Sequence, residues 1–203
     1  MRRSLKNHRA STEAGFPARA HRHWRKRAGV AFAILLAACQ PGRNGPLNPV
    51  ATPDVTLFTD QDGHPGAVVN GGPLLARVTG SWDSLGQQDI AVVYSNQGDA
   101  DIAVTPAQFK MRHRGDPLVV SSIVDMTDVS YSGSEVRDNA VALFNPDTPM
   151  VRSLTIPKGA TRRIELTFDG DGRGIDARQS FEFDVALPSA TATIGFQSGY
   201  WDD

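Results

Sequence analysis

Apolar and polar positions alternate with a period of two along most of the chain beyond residue 53. Ile164, Leu166 and Phe168 fall on one side of a segment whose other side carries Arg163, Glu165 and Thr167. Phe181, Phe183, Val185 and Leu187 alternate with Glu182, Asp184 and Ala186, and Ala190, Ala192, Ile194 and Phe196 repeat the pattern against Thr191, Thr193 and Gly195. Phe109, Met111 and His113 do the same against Gln108, Lys110 and Arg112. This period puts successive side chains on opposite faces and predicts half-buried β-strands. Further strands are expected at 55–58, 74–80, 89–96, 118–124, 139–144 and 153–156. Residues 90–94 are apolar on both faces, as suits a central strand shielded on both sides. No stretch beyond residue 53 carries a sustained helical period.

Turn chemistry separates the runs at short intervals: Asp62-Gly63, Asn70-Gly71-Gly72, Asn96-Gln97-Gly98-Asp99, Arg114-Gly115-Asp116-Pro117, Asn145-Pro146-Asp147 and Pro157-Lys158-Gly159. Eight or more short strands with one-sided alternation predict an all-β fold, an antiparallel β-sandwich with a closed barrel as the alternative. The run from Asp89 to Met111 resembles the central hairpin of immunoglobulin-like domains of bacterial secreted proteins, in which an apolar strand ends at Asn and a strand with a buried aromatic returns. The run from Ile156 to Phe168 is similar to a later segment of those modules, where Pro and Gly introduce an edge strand. The resemblance covers roughly residues 85–187. It implies an immunoglobulin-like sandwich and supplies no catalytic residue.

The amino-terminal part has a different pattern. Residues 1–27 hold nine Lys or Arg and a single acid, Glu13, and residues 28–38 are eleven uncharged, almost wholly apolar positions. Basic, then apolar, then small residues is the layout of a secretory signal, and eleven residues fall well short of the roughly 20 needed to span a bilayer. The run ends at Leu36-Ala37-Ala38-Cys39, which contains the sole cysteine of the chain. This closely resembles the lipobox of bacterial lipoproteins. The resemblance implies cleavage before Cys39 and attachment of a diacylglycerol to its thiol. Two or three acyl chains anchor stably where one does not. With Gln40 rather than Asp after the cysteine, it also implies the outer membrane, with the domain in the periplasm. The expected organisation is a signal peptide at 1–38, a lipidated cysteine and Pro/Gly/Asn-rich flexible linker at 39–53, and one β-sandwich domain at 54–203.

Cleavage changes the charge. The full chain has a formal charge of −1, whereas residues 39–203 carry twelve Lys or Arg against twenty-one Asp or Glu, a formal charge of −9. So acidic a surface argues against nucleic acid as a partner. With one cysteine there is no intrachain disulfide, and stability rests on an apolar core.

Chemistry-bearing motifs are sparse. The mature region holds two histidines, His64 and His113, each expected at the surface, and there is no Gly-x-Ser-x-Gly elbow. Met111 and His113 are better read as core and strand-end residues than as copper ligands. Asp169, Asp171 and Asp176 sit in a glycine-rich loop whose start matches the first, third and sixth positions of an EF-hand loop, so they are candidate calcium ligands. Arg173 and Ser180 depart from that pattern, and the flanks are strands. Asp60-Gln61-Asp62-Gly63 repeats the flavour, and the two loops are candidates to share one site. Trp82, Tyr200 and Trp201 are candidate partner contacts or a glycan platform, since aromatics anchor interfaces.

The sequence therefore predicts a non-enzymatic, membrane-anchored envelope lipoprotein that binds an envelope protein or glycan or contributes to surface assembly. The alternatives are a calcium-binding module and an enzyme acting on envelope glycan, which would need paired carboxylates in a cleft. Intact mass of the membrane fraction tests the anchor: the chain should begin at Cys39 with a diacylglycerol-sized increment, and Cys39→Ala should abolish both cleavage and increment. An unmodified Cys39 would remove the anchor from the picture.

Overall fold

The computed structural model describes residues 44–201, apart from 84, 129, 133–134, 138–139, 171–174 and 189. Cys39, its leader and Asp171 lie outside the described residues.

Sixteen strands follow in chain order: β1 (Asn44–Pro49), β2 (Val55–Thr59), β3 (Pro65–Gly71), β4 (Leu74–Asp83), β5 (Gln87–Asn96), β6 (Ile102–Val104), β7 (Lys110–His113), β8 (Asp116–Pro117), β9 (Val119–Asp125), β10 (Ser130–Ser132), β11 (Glu135–Arg137), β12 (Val141–Phe144), β13 (Leu154–Ile156), β14 (Thr161–Asp169), β15 (Ser180–Ala186) and β16 (Thr191–Ser198). A 3₁₀ turn, Pro106–Gln108, precedes β7. All pairings are antiparallel. They form two sheets, β12-β9-β14-β5-β4-β3-β2 and β1-β16-β15-β7-β8, with small separate pairs β6-β13 and β10-β11. The strand β1 belongs to both sheets. Asn44, Gly45 and Pro46 pair with Asp83, Trp82 and Ser81 of β4, and Leu47, Asn48 and Pro49 pair with Ser198, Gln197 and Phe196 of β16.

The inward halves of the alternating strands make one core. Leu74, Ala76 and Val78 of β4, Ile90, Val92 and Tyr94 of β5, and Ile164, Leu166 and Phe168 of β14 are buried, as are Phe181, Phe183 and Val185 of β15 and Ile194 and Phe196 of β16. Each large side chain of this kind contributes about 1.5–3 kcal/mol on burial. Rings join the two sheets. Phe183 meets Phe168 edge-on at 6.1 Å and stacks parallel to Phe109 at 6.0 Å. The Tyr94 hydroxyl donates to the Ala186 carbonyl at 2.6 Å, which satisfies a buried polar group, and burial pushes the phenol pKa far up.

Several expectations need correction. Residues 44–49, placed in the flexible linker, form β1, with Leu47 fully buried. Pro46 and Pro49 masked this strand. Each lacks an N–H, and β1 tolerates them because each half pairs with only one sheet. Residues 89–111 do not form a hairpin: β5 pairs with β4 and β14, β6 with β13, and β7 with β15 of the other sheet. The segment after Pro157 is no edge, since β14 lies between β5 and β9. His113, expected at the surface, is 8% exposed and stacks on Phe181 at 4.7 Å. The strand β3 was not expected, because Pro65 and Gly66 mask its start.

Two substitutions separate the packing from the polar contribution. Phe183→Ala should cost about 3–5 kcal/mol by leaving a cavity between the sheets. Tyr94→Phe should cost about 1–3 kcal/mol by leaving a buried carbonyl unpaired. Urea denaturation of the two variants checks the ranking, and a larger loss for Tyr94→Phe would contradict it.

Candidate functional site

The outward faces of β4, β5 and β14 carry the most structured polar surface. Strand register sets their side chains in three rows across the sheet. Ser81, Asp89 and Thr167 make the first row, Thr79, Ala91 and Glu165 the second, and Arg77, Val93 and Arg163 the third. The middle strand presents small Ala91 and Val93 between longer neighbours, so the face is a trough along β5. This is the apolar second face of residues 90–94. It floors a groove and is not covered by another layer.

The trough has two connected lobes of about 430 and 500 Å³ that share His64, Thr79, Ala91 and Arg163. The first is walled by His64 and Trp201, and the second by Phe58 and the turn from Asp60 to His64. The size falls in the range of small-molecule sites. Within the floor, the Thr167 hydroxyl donates to Asp89 at 2.9 Å, and Arg163 donates to Glu165 Oε1 at 3.0 and 2.7 Å. Arg77 lies 4.3 Å above the Phe58 ring, a cation–π contact. Asp89 is accessible to solvent, yet the protein around it strips enough water to hold its carboxyl pKa above the ordinary value. Asp83 and Glu165 add to the rise against the lowering by Thr167.

The wall next to the hairpin is built by one side chain. Asp60 Oδ1 accepts the N–H groups of Asp62 and His64 at 3.0 and 2.8 Å, closing the β2–β3 turn, with Gly63 in the left-handed region at φ 87°. The Asp60 carboxyl pKa is lowered: desolvation works upward, but the His64 and Asp62 contacts outweigh it. His64 Nδ1 lies 3.2 Å from Asp60 Oδ2. Donor atoms of Asp60, Asp62 and His64 all come within 4.8 Å of one another, so this surface cluster could coordinate a divalent ion. An imidazole with two carboxylates suits zinc-like ions better than calcium, which prefers six to eight oxygens.

The opposite wall depends on the carboxy-terminal arm. Trp82 is 2% exposed, and its indole N–H donates to the Gly199 carbonyl at 2.8 Å. Tyr200 packs on Trp82 at 5.9 Å and donates to the Asp176 carboxylate. The Gly199 N–H donates to Pro46 at 2.9 Å. Gly45 allows this approach, since a Cβ there would fall 1.9 Å from the Gly199 oxygen. So held, Trp201 packs against His64 at 4.9 Å while remaining 39% exposed.

Of the expected site residues, Trp82 is a core and positioning residue with little surface to offer a partner. Tyr200 and Trp201 are exposed, and only Trp201 lines the groove. Asp176 is committed to the arm: its carbonyl accepts from Ser198 Oγ at 2.6 Å and its carboxylate from the Ala177 N–H at 2.9 Å. Asp169 ends β14 opposite Gln87 and Val119. Among the described residues the three-ligand cluster forms at Asp60, Asp62 and His64, away from both. The groove residues Arg77, Thr79, Asp89, Arg163, Glu165 and Thr167 had not been singled out. Their signal was the polar half of strands whose apolar half defines the core. Among the described residues no helix is long and apolar enough to cross a membrane. Comparison with protein-family models, curated proteins and solved structures returns no match to this chain.

Asp89 gives a pH signature. Its folded-state pKa is raised, so ionisation opposes folding as pH climbs through that value, while below the unfolded pKa of about 3.9 the opposition is absent. Asp89→Asn keeps an acceptor for Thr167. It should therefore raise stability at pH 7, with the gain vanishing below about pH 4. Thermal melts across pH check this, and a pH-independent effect would refute it.

Proposed function

We propose that the chain is a lipid-anchored, non-catalytic envelope lipoprotein whose immunoglobulin-like β-sandwich recognises another envelope component through the β4–β5–β14 groove. The observation that carries this reading is the groove itself. A trough of about 430 and 500 Å³ in two joined lobes, lined by paired ionic groups and walled by an exposed tryptophan, has the make-up of a recognition surface. Asp89 adds weight, because a carboxylate retained where its charge is disfavoured costs stability that a binding role would offset.

The anchor fits the same picture. With β1 beginning at Asn44, five peptide steps separate Cys39 from the fold, a reach of about 17 Å at full extension. With the anchor at Cys39, this reading holds the domain close to the outer membrane on its periplasmic side, in place of a long tether. A divalent ion at Asp60, Asp62 and His64 is a second element of the reading, favoured by the convergence of their donor atoms. Bound there, it would fix the hairpin tip and the His64 face against which Trp201 packs.

Crosslinking from native envelope tests the reading, with a photoreactive group at position 61 on the groove rim and Arg163→Ala as the variant. A saturable adduct is expected for the anchored wild type and should fall at least about tenfold for the variant, a loss of about 1.4 kcal/mol. If the adduct requires the ion, chelation will abolish it and zinc will restore it. An adduct indifferent to Arg163 would displace recognition from the groove.

A further inference from the structure

We infer that the groove takes a neutral oligosaccharide, stacked on Trp201 and hydrogen-bonded across the rows formed by Thr79, Ser81, Asp89, Glu165 and Thr167. The inference rests on reading the groove as the recognition surface, and it names the ligand class.

The chemistry of the lining excludes the other classes one by one. An extended peptide that adds a strand needs free backbone N–H and C=O groups. The floor strands have none to offer, because β5 is paired along its length with β4 and β14, and β14 with β5 and β9. Anions meet Asp60, Asp62, Asp89 and Glu165 in the lining, while the two arginines there are already engaged, Arg163 with Glu165 and Arg77 over Phe58. On the floor, organic cations meet Arg77 and Arg163 beside carboxylates already bonded to Arg163 and Thr167, whereas a divalent ion at Asp60, Asp62 and His64 would sit on the rim. A purely apolar ligand would desolvate hydroxyls and carboxylates without replacing their hydrogen bonds, at a cost of about 1–3 kcal/mol for each group.

A neutral polyhydroxyl chain satisfies all four restrictions. Its hydroxyls donate to Asp89 and Glu165 and accept from Thr79 and Ser81, so the mixture of donors and acceptors on the floor is matched by groups that do both. Its C–H face needs a flat apolar surface. Trp201 supplies one, held by His64 at 4.9 Å and still 39% exposed. Ala91 and Val93 leave the depth for the chain, and strand spacing of about 4.8 Å repeats the polar groups across the trough.

Titration calorimetry of the full chain against cellotetraose, chitotetraose and maltotetraose tests this, with oligogalacturonate as the acidic counterpart. At least one neutral tetramer should bind saturably with a Kd of about 10⁻⁴ M. Trp201→Ala should weaken that binding at least about tenfold, and Thr79→Val, which removes one hydroxyl at near-constant shape, should weaken it severalfold. Glu182→Gln, on the outer face of the other sheet, should leave it unchanged. Failure of all three neutral tetramers, or equal binding of the acidic one, overturns the saccharide assignment. A groove-dependent protein adduct in the crosslinking experiment together with no sugar binding would overturn the sugar alone, whereas loss of both would overturn the groove as a recognition surface.

Discussion

Strand β1 is the constraint on which the rest of the domain depends, because it hydrogen-bonds first to one sheet and then to the other. Leu47 sits at the crossing with no exposed surface, so the apolar interior is sealed where the sheets diverge. The same strand brings Gly45 and Pro46 against Gly199, whose carbonyl is bound by Trp82. A buried indole thus fixes Gly199, and through it the exposed indole of Trp201 two positions further on. The groove wall is in this sense an extension of the core.

The groove follows from side-chain volume. A sheet face with uniformly large residues is flat or convex. Here the middle strand carries alanine and valine while its neighbours carry threonine, arginine and glutamate, and a trough results. Glu165 is paired with Arg163 within the floor and Asp89 is bonded to the Thr167 hydroxyl, so the surface retains many hydrogen-bonding groups. That differs from the outer face of the smaller sheet, where Arg112 bridges Glu182 and Asp184 at 2.8 and 2.7 Å in an open ion network. Burial alone would raise the Asp184 pKa, but Arg112 and Thr193 outweigh it and hold it below the ordinary value. Such a network supports the sheet edge and lacks the walls that would make it a binding site.

Much of the fold was legible in the sequence. The alternation at 164–168 and 181–187 reappears as β14 and β15 with the apolar positions inward, and that at 190–196 as β16 with Ile194 and Phe196 buried, Ala192 partly buried and Ala190 exposed ahead of the strand. The missing strands were those whose sequence hides the period. β1 contains two prolines in six residues, and β3 opens on Pro65-Gly66. Strand partners were misjudged because local pattern carries no long-range information: nothing in residues 89–113 distinguishes a hairpin from a crossover to the other sheet. The aspartate loops illustrate the same limit. Spacing singles out Asp169, Asp171 and Asp176, of which Asp171 lies outside the described residues; among the described residues the cluster that closes is Asp60, Asp62 and His64, since a tight turn capped by Asp60 Oδ1 brings the imidazole back onto the carboxylates.

What the sequence determined by itself is what short-range periodicity and composition encode: an all-β antiparallel domain, its turns, the acidic balance of residues 39–203, and a basic then apolar run ahead of them. Tertiary structure alone decided which strands are neighbours, that Trp82 is interior and Trp201 is not, and that polar residues from three separated segments form one trough. The physical reason is the range of the forces involved. Side-chain alternation is set by the backbone at each residue, whereas register and burial are set by the lowest free energy of the whole assembly, to which residues more than a hundred positions apart contribute together.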